Sequence, residues 1–291
     1  MSRHGVPRRG WSSMVVERLS LPPLILMAAV LSASVQLVAV GQVRLGPLLV
    51  TVVGITALLA LLRLMDDVKD LDRDRIAHPD RPLARGALSR HQARQGVITG
   101  LAVVLTGAGV LTVAGPSLAG AFLALCGLWA FLMYREFFFP ERLRERPVLY
   151  ALTHQAVVLP LYGFAAATVG SGAAGVPEVW WFAATGLGAS FTWEVCRKLD
   201  PDADPVLDTY RARLGPARTV ALATGSLALV AVPASRLGLA PILWPMAGLV
   251  LAALLFAWAR PGSYRAAAGA AGLLAAIQPA APLLGRLWGA A

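Results

Sequence analysis

Long stretches without a charged residue recur along this chain, and they constrain its fold more than any other feature. These runs are residues 19–43, 45–62, 95–134, 147–177, 179–193, 219–235, 237–259 and 266–285. A helix needs roughly 20 apolar residues to cross the hydrocarbon layer of a bilayer. The longest run contains Gly115 and Pro116 near its middle, so it provides two crossings. The sequence therefore predicts nine membrane-spanning helices.

The composition agrees with a membrane protein. Hydrophobic residues make up 57% of the chain and charged residues 14%, whereas soluble domains carry about 25% charged residues. We expect an all-α, polytopic bundle: one transmembrane domain over residues 19–291 after a short segment, 1–18. That segment has the positive charge of a signal peptide, but the apolar run after it continues for a full crossing without a small-residue cleavage site. Cys126 and Cys196 fall inside predicted helices, so we expect free thiols.

The basic residues predict an orientation. With the N-terminus in the cytoplasm, all but three of the 26 Lys and Arg residues lie inside, the exceptions being Arg44, Arg236 and Arg286. This distribution predicts an inner-membrane protein with its C-terminus outside. The net charge of +10 is then explained by the basic residues of the cytoplasmic loops. Nucleic acid is a poor partner because the basic residues are divided among membrane loops.

The acidic residues form two clusters. Of the 16, six lie in residues 66–80 and five in residues 194–208. Each cluster directly follows an even-numbered predicted helix, so both belong to the cytoplasmic face, in segments of about 63–94 and 194–218. Two acidic clusters on one face of a bundle can converge on one site.

The first cluster has helical spacing. Asp66, Asp70 and Asp74 are four residues apart, and Asp67 shares nearly the same register. Like charges stacked in this way repel unless a cation lies among them, and Mg²⁺ prefers such oxygen ligands together with substrate phosphates. Basic residues interleave with these carboxylates, as a metal–diphosphate site requires: Arg63, Lys69, Arg73 and Arg75. The alternative is a solvated acidic helix end.

The second cluster begins at Glu194, after only 15 uncharged residues. A full crossing must therefore carry Glu194, and with it Arg197 and Lys198, toward membrane depth, where ionisable residues usually serve a function. Asp200, Asp204 and Asp208 are again four apart, but the prolines at 201 and 205 favour a loop. The alternative is a polar linker with one Glu194–Lys198 pair.

These residues match a known pattern. The run Arg63-x3-Asp67-x2-Asp70-x3-Asp74, followed by Arg81-Pro82-Leu83-x2-Gly86, resembles the first signature of the UbiA superfamily of intramembrane prenyltransferases. That signature reads Asn-Asp-x2-Asp-x3-Asp with a downstream Arg-Pro-Leu-x2-Gly. The resemblance implies a nine-helix bundle whose central apolar cavity is capped on the cytoplasmic side. It also implies two or more Mg²⁺ ions and the diphosphate of an isoprenyl donor, held by the acidic motifs.

The resemblance assigns roles to individual residues. Asp67, Asp70 and Asp74 inherit metal binding and catalysis, and Arg63 inherits a diphosphate contact, with Lys69 and Arg81 beside it. Asp66 stands where the family usually has Asn, and as an added carboxylate it joins the metal set. The second motif departs further, so its register stays open. We assign Glu194, Asp200 and Asp204 to a second metal site, with Glu194 also catalytic, and Arg197 and Lys198 to phosphate contacts.

The resemblance also implies a reaction: the allylic C–O bond breaks, and the prenyl group passes to an aromatic or lipidic acceptor. Aromatic faces stabilise carbocations, and the candidates near the cytoplasmic helix ends are Trp193, Tyr134, Trp129 and Tyr150. Packing or an interfacial belt is the alternative role for each. His154 can orient an acceptor, act as a base, or form a hydrogen bond between helices.

Two other activities stay open. Because no acceptor-binding motif stands out, a UbiA-type terpene cyclase, in which the substrate's own double bond attacks the cation, is an alternative. A membrane transporter is a more distant one. Transporters often contain paired repeats with helices interrupted near the midplane, whereas this chain shows no repeat and carries its charges at one face.

Overall fold

In this computed structural model the chain is described for residues 10–207 and 209–289, and every regular element in those ranges is helical. A short N-terminal segment contains Trp11–Ser13 and a π-helix, Met14–Leu19. The α-helices that follow are α1 Leu21–Val40, α2 Leu45–Lys69, α3 Leu71–Ala77, α4 Arg90–Ala114, α5 Ser117–Tyr134, α6 Pro140–Arg144, α7 Pro147–Gln155, α8 Val158–Ala167, α9 Pro177–Cys196, α10 Tyr210–Ser226, α11 Ala228–Arg236, α12 Ala240–Ala259, α13 Tyr264–Ile277 and α14 Ala281–Leu287.

Eight helical segments of the described chain are long and apolar enough to cross a membrane. They are Leu21–Val40, Leu45–Lys69, Arg90–Ala114, Ser117–Tyr134, Pro147–Ala167, Tyr210–Arg236, Ala240–Ala259 and Tyr264–Leu287. Three of them join two shorter helices end to end. The ninth expected crossing is α9, a helix of 20 residues whose polar residues, Glu194 among them, lower its hydropathy. The prediction of an all-helical, polytopic membrane bundle is confirmed.

Lipid surrounds the outside of this bundle. Large apolar side chains on it are exposed, among them Val113 (89%), Val53 (70%) and Ile98 (69%). Apolar exposure on this scale is unfavourable in water but suits a helix surface in hydrocarbon. The two cysteines, Cys126 and Cys196, are buried free thiols, as the sequence predicts.

Helix α9 lies at the centre of the second half of the bundle and packs against α8, α10, α11 and α13. Glycine permits the close approach: a Cβ placed on Gly188 would lie 2.7 Å from Cβ of Leu229. Small residues are the usual contacts between membrane helices, because association there depends on van der Waals packing. A larger side chain at position 188 would push α9 and α11 apart.

Buried hydroxyl and amide groups connect the helices. Thr192 Oγ1 lies 2.6 Å from Ser226 Oγ, which joins α9 to α10. Tyr162 donates to the Gln278 carbonyl at 3.0 Å, and the Gln278 amide donates to Thr185 Oγ1 at 2.8 Å. Polar groups in hydrocarbon need such partners, so these bonds fix the relative positions of α8, α9 and α13.

The charged connections gather at one end of the bundle, which we call the acidic end. Helix α3 contacts the 3₁₀ turn Pro205–Leu207, so the two acidic segments meet there. The N-terminal segment lies at the same end, where Gly10 N donates to Ala87 O at 2.7 Å. This arrangement places the charges of both segments beside each other.

Candidate active site at the acidic end

A cavity of about 470 Å³ opens where the two acidic segments meet, and we call it the polar cavity. Four carboxylates and four cations line it: Asp70, Asp74, Glu136, Asp200, Arg73, Arg81, Arg197 and Lys198. His78, Tyr150 and Tyr210 contribute further polar atoms. The expected convergence of the two clusters is therefore present in the fold.

The break between α2 and α3 determines which aspartates reach this cavity. Helix α2 ends at Lys69, and Asp70 (φ −90°, ψ 4°) joins it to α3, which begins at Leu71. Asp70 lines the cavity, and its carboxylate forms no hydrogen bond or ion pair with any described residue. Asp74, one turn further on, lines it too and accepts from Arg81 at 2.6 Å. Asp70 thus carries a carboxylate that the described chain leaves without a protein cation.

Asp67 points elsewhere and is held by Arg18. The Arg18 guanidinium donates to both carboxylate oxygens, with Nε 3.1 Å from Oδ1 and 3.0 Å from Oδ2, while Nη2 also contacts Oδ1. The side chains are only 13% and 4% exposed, respectively. The hydrogen bond to Asp67 raises the pKa of Arg18 above its ordinary value, so this cation stays charged. Sequence analysis missed Arg18, because the pair joins residues 49 positions apart.

Asp66, Lys69 and Arg63 lie outside the cavity lining. Asp66 is 54% exposed and lies 3.5 Å from Lys69 Nζ. Lys69 also donates to the Tyr150 hydroxyl at 3.2 Å, which connects α2 to the cavity wall. Arg63 is exposed one turn before Asp67 and forms no hydrogen bond or ion pair with the described residues.

The second acidic segment lies partly in helix α9 and partly in the loop that follows it. Glu194 lies inside the helix with 12% of its side chain exposed, and it binds Arg197 at 2.5 Å and Lys198 at 2.7 Å. The Glu194–Lys198 pair considered as an alternative is therefore present. Arg197 and Lys198 also line the cavity, whereas Glu194 does not. The Glu194 carboxylate therefore balances the charge of two cavity cations from outside the cavity lining.

The aspartates after α9 lie in a loop, as the two prolines predict. Asp200 lines the cavity, accepts from the Tyr264 hydroxyl at 2.7 Å, and accepts the backbone N–H of Asp202. Asp204 is exposed and accepts from Val206 N at 2.9 Å. Of these residues, Asp200 reaches the cavity and Asp204 does not, and Asp208 falls outside the described residues.

Of the four aromatic candidates, only Tyr150 lines the polar cavity. Trp193 is 43% exposed, with Arg197 5.4 Å from its ring centre. Trp129 donates to Thr153 O at 2.8 Å, and Tyr134 packs against the apolar core. Packing therefore accounts for the positions of these three.

His154 stacks on Tyr150 with ring centres 3.9 Å apart. Its Nδ1 lies 2.8 Å from the Tyr150 carbonyl of its own helix, so Nδ1 carries the proton and donates there. The hydrogen bond is thus within one helix and does not join two helices. Nε2 is buried with no partner in the described chain, and in this tautomer it is an acceptor.

The donor set suits a hard cation. No group of three or more His, Cys, Asp or Glu side chains lies close enough to hold a metal ion in residues 10–207 and 209–289. Mg²⁺ is commonly held by one or two carboxylates with substrate phosphates completing its shell. Asp70, Asp74 and Asp200 supply such oxygens, and the neighbouring arginines supply phosphate contacts.

Fold and site together define a polytopic integral membrane protein with a charged cavity at one end of a helical bundle. Residues 24–276 match the UbiA prenyltransferase family, and the chain belongs to that family. The fold thus supports prenyl transfer within the membrane. No curated protein sequence matches the chain.

Two solved structures share this fold. One is a UbiA homolog from Aeropyrum pernix K1, which is 17% identical, covers 92% of this chain and 98% of its own, and has a TM-score of 0.65. The other comes from work on digeranylgeranylglyceryl phosphate synthase in membranes. It is 12% identical, covers 95% and 96% of the two chains, and has a TM-score of 0.62. At these identities the similarity establishes the fold alone.

Proposed function

We propose that this chain ionises an isoprenyl diphosphate with the aid of Mg²⁺ and transfers the prenyl group to an aromatic or lipidic acceptor. One observation carries the proposal. Carboxylates and cations line the same cavity at the end of an apolar bundle, and the Asp70 carboxylate forms no ion pair with a described residue. A metal diphosphate complements both sets of charges, and a prenyl tail complements the bundle interior.

Asp70, Asp74 and Asp200 would each hold metal together with the substrate phosphates, since no three of these carboxylates lie close enough to form one protein-only site. Bound magnesium supplies positive charge to the leaving diphosphate. Arg81, Arg197 and Lys198 hold the phosphate oxygens by charge-assisted hydrogen bonds, which are stronger than neutral ones. These cations already line the cavity, so the leaving diphosphate meets positive charge there as its own charge develops.

The remaining candidates act on the apolar side. Tyr150 lines the cavity while stacking on His154, and an aromatic ring attracts positive charge at its face. Nε2 of His154, whose ring stacks on Tyr150, is the candidate to take up the proton that the prenyl acceptor loses, because Nδ1–H is held by the Tyr150 carbonyl. Asp67, Glu194 and Lys69 hold or balance other charges of the site through their ion pairs.

Diphosphate release tests the proposal directly. Purified protein is incubated with C10 to C20 prenyl diphosphates, Mg²⁺ and a panel of aromatic and glycerol-phosphate acceptors. We expect Asp70→Asn to reduce release at least a hundredfold, because it removes the carboxylate without a partner. Asp72→Asn is the matched control: Asp72 is 68% exposed and pairs with Arg75 and Arg90 on the surface. Equal activity of the two variants would contradict the role of Asp70.

The same incubation without an acceptor separates transfer from cyclisation. A transferase releases little diphosphate and makes no cyclic product until an acceptor is added. A cyclic hydrocarbon or alcohol formed from the donor alone would establish the cyclase alternative.

We also propose that the acidic end faces the cytoplasm. The opposite end carries Arg44, Arg236 and Arg286, whereas the acidic end carries most of the basic residues, which favours the inside. Ser89→Cys at the acidic end should be protected from a membrane-impermeant maleimide in intact cells, and Gly238→Cys should react. The opposite labelling pattern would reverse the orientation. The native cysteines are buried and contribute little background.

A further inference from the structure

A second cavity, of about 230 Å³, lies beside the polar cavity at the acidic end, and we call it the side cavity. It lies among helices α10, α12 and α13. Pro216 and Val220 line it from α10, and Trp258 lines it from α12. Helix α10 is broken at Gly215 (φ 77°, ψ 164°), just before Pro216. Trp258 is 52% exposed, so the cavity lies at the surface that faces lipid.

Arg211 is the one charged residue among those that line this cavity. Its guanidinium forms no hydrogen bond or ion pair with any described residue. Arg211 is half-buried beside apolar side chains, so an anion bound in this cavity would meet a cation in partly desolvated surroundings, where their attraction is stronger than in water.

The surroundings of Arg211 add positive charge. Arg260 directly follows α12 and Arg265 lies in the first turn of α13, 5.6 Å and 5.9 Å from the ring centres of Phe256 and Tyr264. Neither forms an ion pair with a described carboxylate. The field at this edge of the bundle therefore attracts anions.

We propose that the side cavity binds the phosphate headgroup of an anionic membrane lipid, with Arg211 as its principal contact. The cavity is too small for a whole lipid or an isoprenyl diphosphate, since ligand pockets usually span about 300–1,000 Å³. A headgroup and the first methylenes fit, and the acyl chains continue along Trp258 into the bilayer. An arginine and aromatic residues at a helix end suit the membrane interface.

The site is distinct from the polar cavity but shares a wall with it. Tyr264 lines the side cavity and donates to Asp200, which lines the polar cavity. A bound headgroup therefore contacts the residue that positions Asp200. Lipid binding itself does not depend on the proposed reaction and is testable without any prenyl substrate.

Quenching of Trp258 fluorescence tests the proposal. The protein is placed in phosphatidylcholine nanodiscs that contain increasing fractions of phosphatidylglycerol with brominated acyl chains. The fluorescence of the Trp258→Phe variant, which comes from the other tryptophans, is subtracted to give the Trp258 component. We expect the Trp258 component to be quenched at lower fractions of this lipid than of brominated phosphatidylcholine. Arg211→Gln should raise the fraction required about tenfold, since it removes a charge-assisted hydrogen bond to the headgroup phosphate.

Two controls keep the result decisive. Arg142→Gln removes an exposed arginine that lies over the Phe139 ring at the acidic end, away from the side cavity, and it should leave quenching unchanged. Arg211→Lys keeps the charge and should retain the preference, which separates binding from misfolding. Equal quenching by both lipids, or an unaffected Arg211→Gln, would overturn the proposal. Abolition of the preference by millimolar inorganic phosphate would show a free-anion site instead of a lipid site.

Discussion

The buried ion pair between Arg18 and Asp67 gives the sharpest prediction for stability. It attaches the N-terminal segment to α2 through two oxygens of one carboxylate, and both side chains are largely removed from solvent. Arg18→Gln removes the charge and leaves a side chain of similar length. Asp67 is then a buried carboxylate with no cation bound to it.

The expected magnitude follows from burial. Removing one partner of a buried pair typically costs about 3–5 kcal/mol, because the remaining charge is uncompensated. The pair Arg85–Glu17 provides the comparison at the same end of the protein, at 2.7 Å but with 28% and 36% of the side chains exposed. An exposed pair contributes about 0–1 kcal/mol. Arg85→Gln should therefore change the free energy of unfolding far less than Arg18→Gln.

Equilibrium unfolding in mixed micelles with increasing dodecyl sulfate measures both variants. The double variant Arg18→Gln/Asp67→Asn completes a thermodynamic cycle and should recover much of the loss, because it removes the orphaned charge together with its partner. If Arg18→Gln and Arg85→Gln shift unfolding equally, or if the double variant adds the two single losses, the buried pair does not stabilise the fold as argued.

Three further outcomes are expected. Gly188→Ala should destabilise the protein by about 1–3 kcal/mol in the same unfolding assay, because its Cβ would lie 2.7 Å from Leu229 Cβ, whereas Gly248→Ala meets nothing within 4 Å and should be neutral or slightly stabilising. Arg81→Gln should raise KM for the prenyl diphosphate about tenfold or more, since charge-assisted hydrogen bonds contribute roughly 1.5–3 kcal/mol, and steady-state kinetics measure this. Dialysis against EDTA should abolish diphosphate release and Mg²⁺ should restore it; activity that persists without metal would refute the assigned cofactor.

The spacing of charged residues was sufficient to predict an all-helical, polytopic membrane bundle. A spacing of charges that leaves about 20 apolar residues per run permits little except membrane helices. The sequence also predicted that the two acidic segments meet, because both follow helices that end on the same face. Asp70, Asp74, Asp200, Arg197 and Lys198 do line one cavity.

Local spacing could not predict which carboxylates turn toward that cavity. Helical periodicity places Asp67 with Asp70 and Asp74, but α2 ends at Lys69 and the chain changes direction at Asp70. The partner of Asp67 comes from a segment 49 residues earlier, and no periodicity within either segment contains that contact. Glu136 reaches the cavity from a third connection, where three successive residues, Glu136 to Phe138, adopt positive φ values. Such tertiary pairings depend on how the helix ends pack.

The ion pairs of the acidic end explain why Asp70 is central to the proposed chemistry. Asp67 is bound by Arg18, Asp74 by Arg81, and Glu194 by Arg197 and Lys198, so each already has a cation from the protein. A metal ion competes with those cations wherever it binds such a carboxylate. At Asp70 the metal meets no competing ion pair in the described chain. The incoming diphosphate is negatively charged, so Arg81, Arg197 and Lys198 can exchange their hydrogen bonds to carboxylates for hydrogen bonds to its oxygens. Metal and diphosphate should therefore bind cooperatively, because each one, once bound, leaves the charged side chains of the site better placed to bind the other.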